Sequence, residues 1–151
     1  MKMRIYFTGK KGSQLYNLSL DYIKKANFDT SIDLVLLNPS GLSNESARNK
    51  ESQNILTKIN KDDVIWLLDE KGSQISSIEL AQKIEKTKLI AKNISIVVGG
   101  AYGVNDDLRS KADFVWSLSS LVFPHELAWV ILSEQIYRAG QINNNSGYHH
   151  A

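Results

Sequence analysis

Two backbone-rich segments of this chain have residue types and spacing that could do chemistry. Residues 99–103 read Gly-Gly-Ala-Tyr-Gly; they follow the strand-like apolar run at 94–98 and precede a polar helix start at Asn105-Asp106-Asp107. Glycines at a strand end let the main chain turn tightly and approach a ligand closely. Residues 117–123 read Ser-Leu-Ser-Ser-Leu-Val-Phe, follow a second apolar run, and lead into Pro124, whose fixed φ suits a helix start. Main-chain N–H and C=O groups beside apolar side chains suit an adenosine-type ligand. The glycines alone do not define one, because Gly-Gly-x-x-Gly has neither the G-x-G-x-x-G spacing of dinucleotide sites nor the Gly-Lys-Ser/Thr ending of a phosphate loop.

The elements that must position these loops alternate along the chain. Residues 2–8 form a first strand, and 13–26 carry Leu15, Leu18, Tyr22 and Ile23 at helical spacing. Residues 32–37 suit a buried parallel strand, and Pro39-Ser40-Gly41 breaks the chain after it. A polar helix starts near Ser43, with Ile55, Leu56 and Ile59 as an apolar stripe towards its end. A third strand at 64–68 ends in Leu68-Asp69, and Lys71-Gly72-Ser73 turns the chain. Ser76-Ser77-Ile78-Glu79 is a capping box for a helix from 77 to about 92, supported by Leu80, Ile84 and Leu89. A strand at 94–98, a short helix at 106–111, a strand at 113–118 and a helix from 124 to about 142 complete the series. Such alternation predicts an α/β fold, a parallel sheet flanked by helices. The pattern alone describes an ordinary doubly wound sheet, because true knots are rare.

Length and composition set the bounds. At 151 residues and 17.0 kDa the chain fits one domain over 1–151, long enough for one substantial core but not for a separate RNA-binding module. Hydrophobic content of 42% and charged content of 23% are those of a soluble globular protein, and no segment approaches the roughly 20 apolar residues of a membrane span. The opening Met-Lys-Met-Arg-Ile-Tyr-Phe is too short and strand-like for a signal peptide, so the expected location is cytoplasmic. The absence of cysteine excludes disulfides, thiolate metal sites and cysteine nucleophiles. A net charge of +2 neither demands nor forbids a nucleic-acid partner. Lys10-Lys11, Lys24-Lys25, Lys58 with Lys61, and Arg109 with Lys111 could contact phosphate, but mostly read as solvated faces and loop ends.

Leu-Leu-Asp at 67–69, the glycine loop, Ser-Leu-Ser-Ser-Leu-Val-Phe-Pro-His at 117–125, Ser-Glu-Gln-Ile-Tyr-Arg-Ala at 133–139 and Tyr148-His149 together resemble the RlmH type of SPOUT methyltransferase. The resemblance covers nearly the whole chain and is densest from 99 to 139. It implies a SPOUT-type α/β knot, with a C-terminal trefoil, in a homodimer that uses S-adenosyl-L-methionine and needs no metal or membrane. The implied reaction is methylation of ring nitrogen 3 of a pseudouridine in helix 69 of 23S rRNA, on the large subunit or assembled ribosome. Another RNA such as tRNA, or a non-catalytic adenosine-ligand or ribosome-binding role, are the alternatives.

The resemblance assigns cofactor contacts to Leu68, Gly99, Leu118, Ser119, Ser120, Leu121, Val122 and Phe123. Without it, Leu68 and Leu121 read as core residues and Gly99 as a turn. It assigns catalytic roles to Tyr148 and His149: the imidazole could accept the pseudouridine N–H proton, and the phenol could stack on or hydrogen-bond to the base. Last residues read by themselves are a frayed terminus. Arg138 is either half of an i,i+4 ion pair with Glu134, or a contact to RNA phosphate or support of the partner subunit. His125 could be a base, although a histidine at a helix start more often braces it. Leu127, Val130, Ile131 and Tyr137 are candidates for a dimer interface or for core.

Three features depart from the family pattern. Gly147 and His150 flank Tyr148-His149 where relatives have proline and a cation, Trp129 replaces a common arginine, and Gly140 replaces a bulky aromatic. Neither tryptophan nor a mostly neutral histidine replaces a guanidinium. Tryptophan could stack on a base or thicken a dimer interface.

Overall fold

The alternating apolar runs and helical stripes become β1 (Lys2–Thr8), α1 (Gln14–Ala26), β2 (Ser31–Leu37), α2 (Asn44–Lys58), β3 (Val64–Gln74), α3 (Ser77–Ile90), β4 (Asn93–Val98), α4 (Asp106–Lys111), β5 (Phe114–Ser117) and α5 (His125–Asn143). They are seen in a computed structural model that describes residues 1–26, 31–91 and 93–150. The strands pair in parallel, in the order β2-β1-β4-β3-β5. Alternate side chains of the central strands enter opposite layers, as the two-residue period requires. Ile5, Phe7, Trp66, Ile94 and Ile96 pack under α1, α3 and α5, whereas Tyr6, Leu67 and Val97 pack with Ile55 of α2 and Leu108 of α4.

The crossovers share one hand. Those through α1 and α3 move one way along the sheet with their helices on one face, and those through α2 and α4 move the other way with theirs on the opposite face. The chain therefore leaves β4 towards one layer and leaves β3 and β5 towards the other. A divergence of that kind opens a crevice at the carboxyl edge of a parallel sheet.

β3 departs from its expected end at Leu68. Leu68 and Ser73 both pair with Trp116 of β5, so residues 69–72 loop out and the strand resumes through Gln74. Lys71-Gly72-Ser73 has the composition of a turn, but the glycine serves a close approach. A Cβ on Gly72 would lie 2.5 Å from the Val115 carbonyl oxygen. The capping box forms as expected: Ser76 Oγ accepts from the Glu79 N–H at 3.1 Å, and the Glu79 carboxylate accepts from the Ser76 N–H at 2.6 Å. The helix it starts ends at Ile90, and Lys92, in the expected span, lies outside the described residues. Pro124 is the N-cap of α5 rather than its first residue, its carbonyl accepting from Leu127 and Ala128.

Trp129 neither stacks on a base nor thickens an interface. It is 0% exposed, because Trp129, Leu132, Ile136 and Ala139 form the stripe of α5 that faces the sheet. Its indole stacks on Phe7, meets the edges of Tyr16 and His125, and lies where a Cβ on Gly9 would come within 2.3 Å.

Candidate functional site

The crevice at the carboxyl edge holds a cavity of about 560 Å³. The looped-out residues of β3 place Leu68, Asp69, Glu70 and Lys71 on its wall, the glycine loop supplies Gly99, Gly100 and Val104, and α5 contributes His125 and Ala128. The segment after β5 contributes Leu118, Ser119, Leu121, Val122 and Phe123. Loops that stand far apart in sequence converge here because their strands all end at the same edge.

The glycine loop is closed by a Gly103 N–H donating to the Gly100 carbonyl at 3.0 Å, and Gly103 has φ +79°, in the region that favours glycine. The loop folds back over Gly99, where a Cβ would lie 3.0 Å from Val104 Cγ1 and 3.1 Å from the Gly103 carbonyl carbon. Beneath it sits the buried Glu51, which accepts from the N–H and hydroxyl of Ser40 at 3.0 and 2.9 Å; one carboxylate oxygen would lie 2.9 Å from a Cβ on Gly100. The Asn105 N–H donates to Ser52 Oγ, so α2 supports the glycine loop from below.

The second loop is braced by its own serines. Ser117 Oγ donates to the Ser119 carbonyl at 2.8 Å, and the Leu121 N–H donates to Ser119 Oγ at 3.0 Å. Ser120 is not part of the cavity lining; its hydroxyl accepts from Gln74 of β3 at 2.8 Å. Leu121 and Val122 are 69% and 74% exposed, which removes the core reading of Leu121 and leaves an apolar flap at the cavity mouth. Leu68 does both jobs, lining the cavity while packing on the core.

One feature escaped sequence reasoning. Arg109 of α4 forms an ion pair with Asp69, fastening the end of β3 to α4 at the cavity wall. Arg109 therefore does not form a patch with Lys111, which pairs with Asp107. An acid directly at the carboxyl end of a parallel strand was the available signal. His125 lines the cavity and its ring meets the Trp129 indole in a T-shaped contact with centroids 5.4 Å apart, which ties it to the core of α5.

The tail is docked rather than frayed. Arg138 donates from Nε and Nη2 to Glu134 Oε1 at 2.9 and 2.6 Å, which is the i,i+4 ion pair. Its Nη1 contacts His149 Nδ1 at 3.1 Å, and the Tyr148 hydroxyl donates to the same Glu134 oxygen at 3.1 Å. The Tyr148 ring lies under the guanidinium at 4.9 Å and against the edge of Tyr137 at 4.8 Å. Burial, then the hydrogen bond to the Glu134 carboxylate, hold the phenol above its ordinary pKa.

Tyr148 and His149 do not reach this chain's own cavity. Arg138 stands ten residues after Ala128, the last cavity-lining residue of α5, about 15 Å along the helix at its standard rise, and no tail residue lines the cavity. Among the described residues no group of three or more His, Cys, Asp or Glu could hold a metal ion, and no helix is long and apolar enough to cross a membrane.

The chain belongs to the SPOUT methyltransferases. The model of that family, described as a predicted SPOUT methyltransferase, matches residues 1–149. The chain is 34% identical over 154 residues to ribosomal RNA large subunit methyltransferase H of Methylobacillus flagellatus, covering 99% of each. It is 36% identical over 159 residues to the protein of that name from Psychrobacter sp. strain PRwf-1, covering 99% of this chain and 98% of the relative. A solved structure of a probable methylase family protein from Haemophilus influenzae Rd KW20 shares the fold, with a TM-score of 0.57, 14% identity, and coverage of 99% of this chain and 70% of that one.

Proposed function

We propose that this methyltransferase uses S-adenosyl-L-methionine to methylate large-subunit ribosomal RNA as a homodimer. By family resemblance, its target is ring nitrogen 3 of a pseudouridine in helix 69 of 23S rRNA. The observation that carries the reading is the carboxyl-edge cavity, built from main-chain loops and exposed apolar side chains, in a chain matching relatives named for rRNA methylation from end to end.

The residues present fit the cofactor. A cavity of about 560 Å³ is of ligand-site size. Gly99 keeps the glycine loop low, while Leu68, Leu118, Leu121, Val122 and Phe123 give apolar surface for a purine and Ser119 orders the second loop. Ser120 supports that loop through Gln74. When bound, the sulfonium supplies an electrophilic methyl group. The loops then exclude water and align the acceptor. The family's trefoil knot, with the last helix threaded through a loop beside this cavity, is part of the same reading.

The homodimer is supported by one feature of α5 and one of the tail. Leu127 is 42% exposed, and Val130 and Ile131 also lie off the core stripe. In addition, Tyr148 and His149 dock on Glu134 and Arg138, outside the lining of their own cavity, a gap that a second copy with α5 running the other way would close. Arg138 uses three of its five N–H groups on Glu134 and His149, leaving two for an RNA phosphate. Ribosomal RNA as substrate supports a cytoplasmic location.

The test is transfer of labelled methyl groups to 50S subunits and ribosomes from a strain lacking the modification, with the modified nucleotide mapped by mass spectrometry. Methylation at the helix 69 pseudouridine is expected. Product in tRNA instead would change the substrate, and cofactor binding without product would make the chain a binder.

A further inference from the structure

We infer that the tail supplies a hydrogen-bond donor and not a base: Glu134 and Arg138 fix His149 as the tautomer protonated on Nε2, so that His149 stabilises the deprotonated substrate ring instead of taking its proton. The inference deepens the proposed function and rests on it for the identity of the substrate.

A guanidinium has donors only, so the 3.1 Å contact from Arg138 Nη1 requires a lone pair on His149 Nδ1. The neutral ring that offers one carries its hydrogen on Nε2. Tyr148 is fixed in the same way. Glu134 Oε1 faces Arg138 Nε and Nη2 as an ionised acceptor, so the phenol must donate to it, and its proton is held there. Glu134 thus serves as the anchor for both the cation and the phenol. Among the described residues none bonds His149 Nε2, so its N–H is the free polar edge of the cluster.

That edge suits the reaction. At an imide-type ring nitrogen the N–H electron pair becomes the nucleophile, a nitrogen–carbon bond forms as the carbon–sulfur bond breaks, and the sulfur keeps the released pair. The ring proton leaves to solvent water before the loops close over the acceptor. Before methyl transfer the negative charge resides largely on the two flanking carbonyl oxygens, and a preorganised N–H aimed at one of them stabilises it. A histidine whose Nδ1 is capped and whose Nε2 is protonated can do this but cannot accept the proton.

Two measurements test the inference. In protein labelled with nitrogen-15 histidine, long-range proton–nitrogen correlations read the tautomer of His149, assigned by its loss in His149→Gln. The Nε2–H form is expected as the sole neutral form, with the ordinary minor fraction of the Nδ1–H form returning in Arg138→Ala; an Nδ1–H form in the intact protein overturns the inference. In turnover, His149→Gln places an amide N–H where the imidazole Nε2–H was and is expected to stay within about tenfold of the intact enzyme, whereas His149→Ala loses about a hundredfold or more. A glutamine variant as inactive as the alanine variant assigns a base and overturns it. The spectrum needs no substrate, so an Nε2–H tautomer in a protein that methylates no rRNA refutes the proposed function alone.

Discussion

The indole of Trp129 lies flat on the ring of Phe7, with centroids 4.8 Å apart and 6° between the planes. This pair fixes the first turns of α5 on β1, and with them His125 and Ala128 at the cavity wall. Truncating a large, fully buried aromatic leaves a cavity that the surroundings fill only in part. Trp129→Ala is expected to cost about 3–5 kcal/mol, read as a lowered midpoint in urea unfolding. An unchanged midpoint would show that the ring is not core.

Gly99 has no space for a side chain. Valine there must displace Val104 or the Gly103 backbone, lifting the loop into the cavity. The expected cost to cofactor binding is about 1–3 kcal/mol, roughly five- to 150-fold in Kd by calorimetry, with the fold retained. Unaltered affinity would remove the glycine loop from the site.

Removing the residues after Gly147 takes away Tyr148 and His149 without touching the cavity. Turnover is expected to fall by about a hundredfold or more, with cofactor affinity unchanged. Full activity in the truncated chain would end the assignment of the tail.

The Tyr148 phenol is raised above 10.0 by burial and by Glu134. A raised folded value means that tail docking is fully present below pH 10.0 and is lost as pH rises through the folded pKa. Glu134→Gln removes the carboxylate, so the Tyr148 titration, followed by ultraviolet absorbance against a Tyr148→Phe control, should move down. No movement would mean that the phenol does not bond to Glu134.

Gly140 lies inside α5, and a Cβ there would meet nothing within 4 Å. Gly140→Ala should stabilise the protein by up to about 1 kcal/mol, because glycine carries the larger backbone entropy into a helix. Differential scanning calorimetry reads this as a higher Tm; a fall would mean that a partner surface closes over this position.

Much of the fold was legible because local rules and tertiary packing agree. The capping box at Ser76, the β1 limits and the two loops all follow from spacing that the packed structure has no cause to override. Gly72 misled because glycine serves both turns and close backbone approach, and only the position of Val115 separates the two. Trp129 was misplaced because a large aromatic on a helix can face core, ligand or partner, and its type does not say which. The Asp69–Arg109 pair joins two elements across the site, so the sequence marked the acid at the strand end but not its partner.

Residue type and short-range spacing determined the elements, the parallel sheet and the segments that build the cavity, because hydrophobic period and turn chemistry act over a few residues. Only the tertiary structure decided which side chains meet: Ser120 turned to Gln74, Arg109 held by Asp69, Trp129 sealed on Phe7, and His149 Nδ1 set against Arg138. Those outcomes depend on distances between residues far apart in the chain, which close packing sets and sequence order does not.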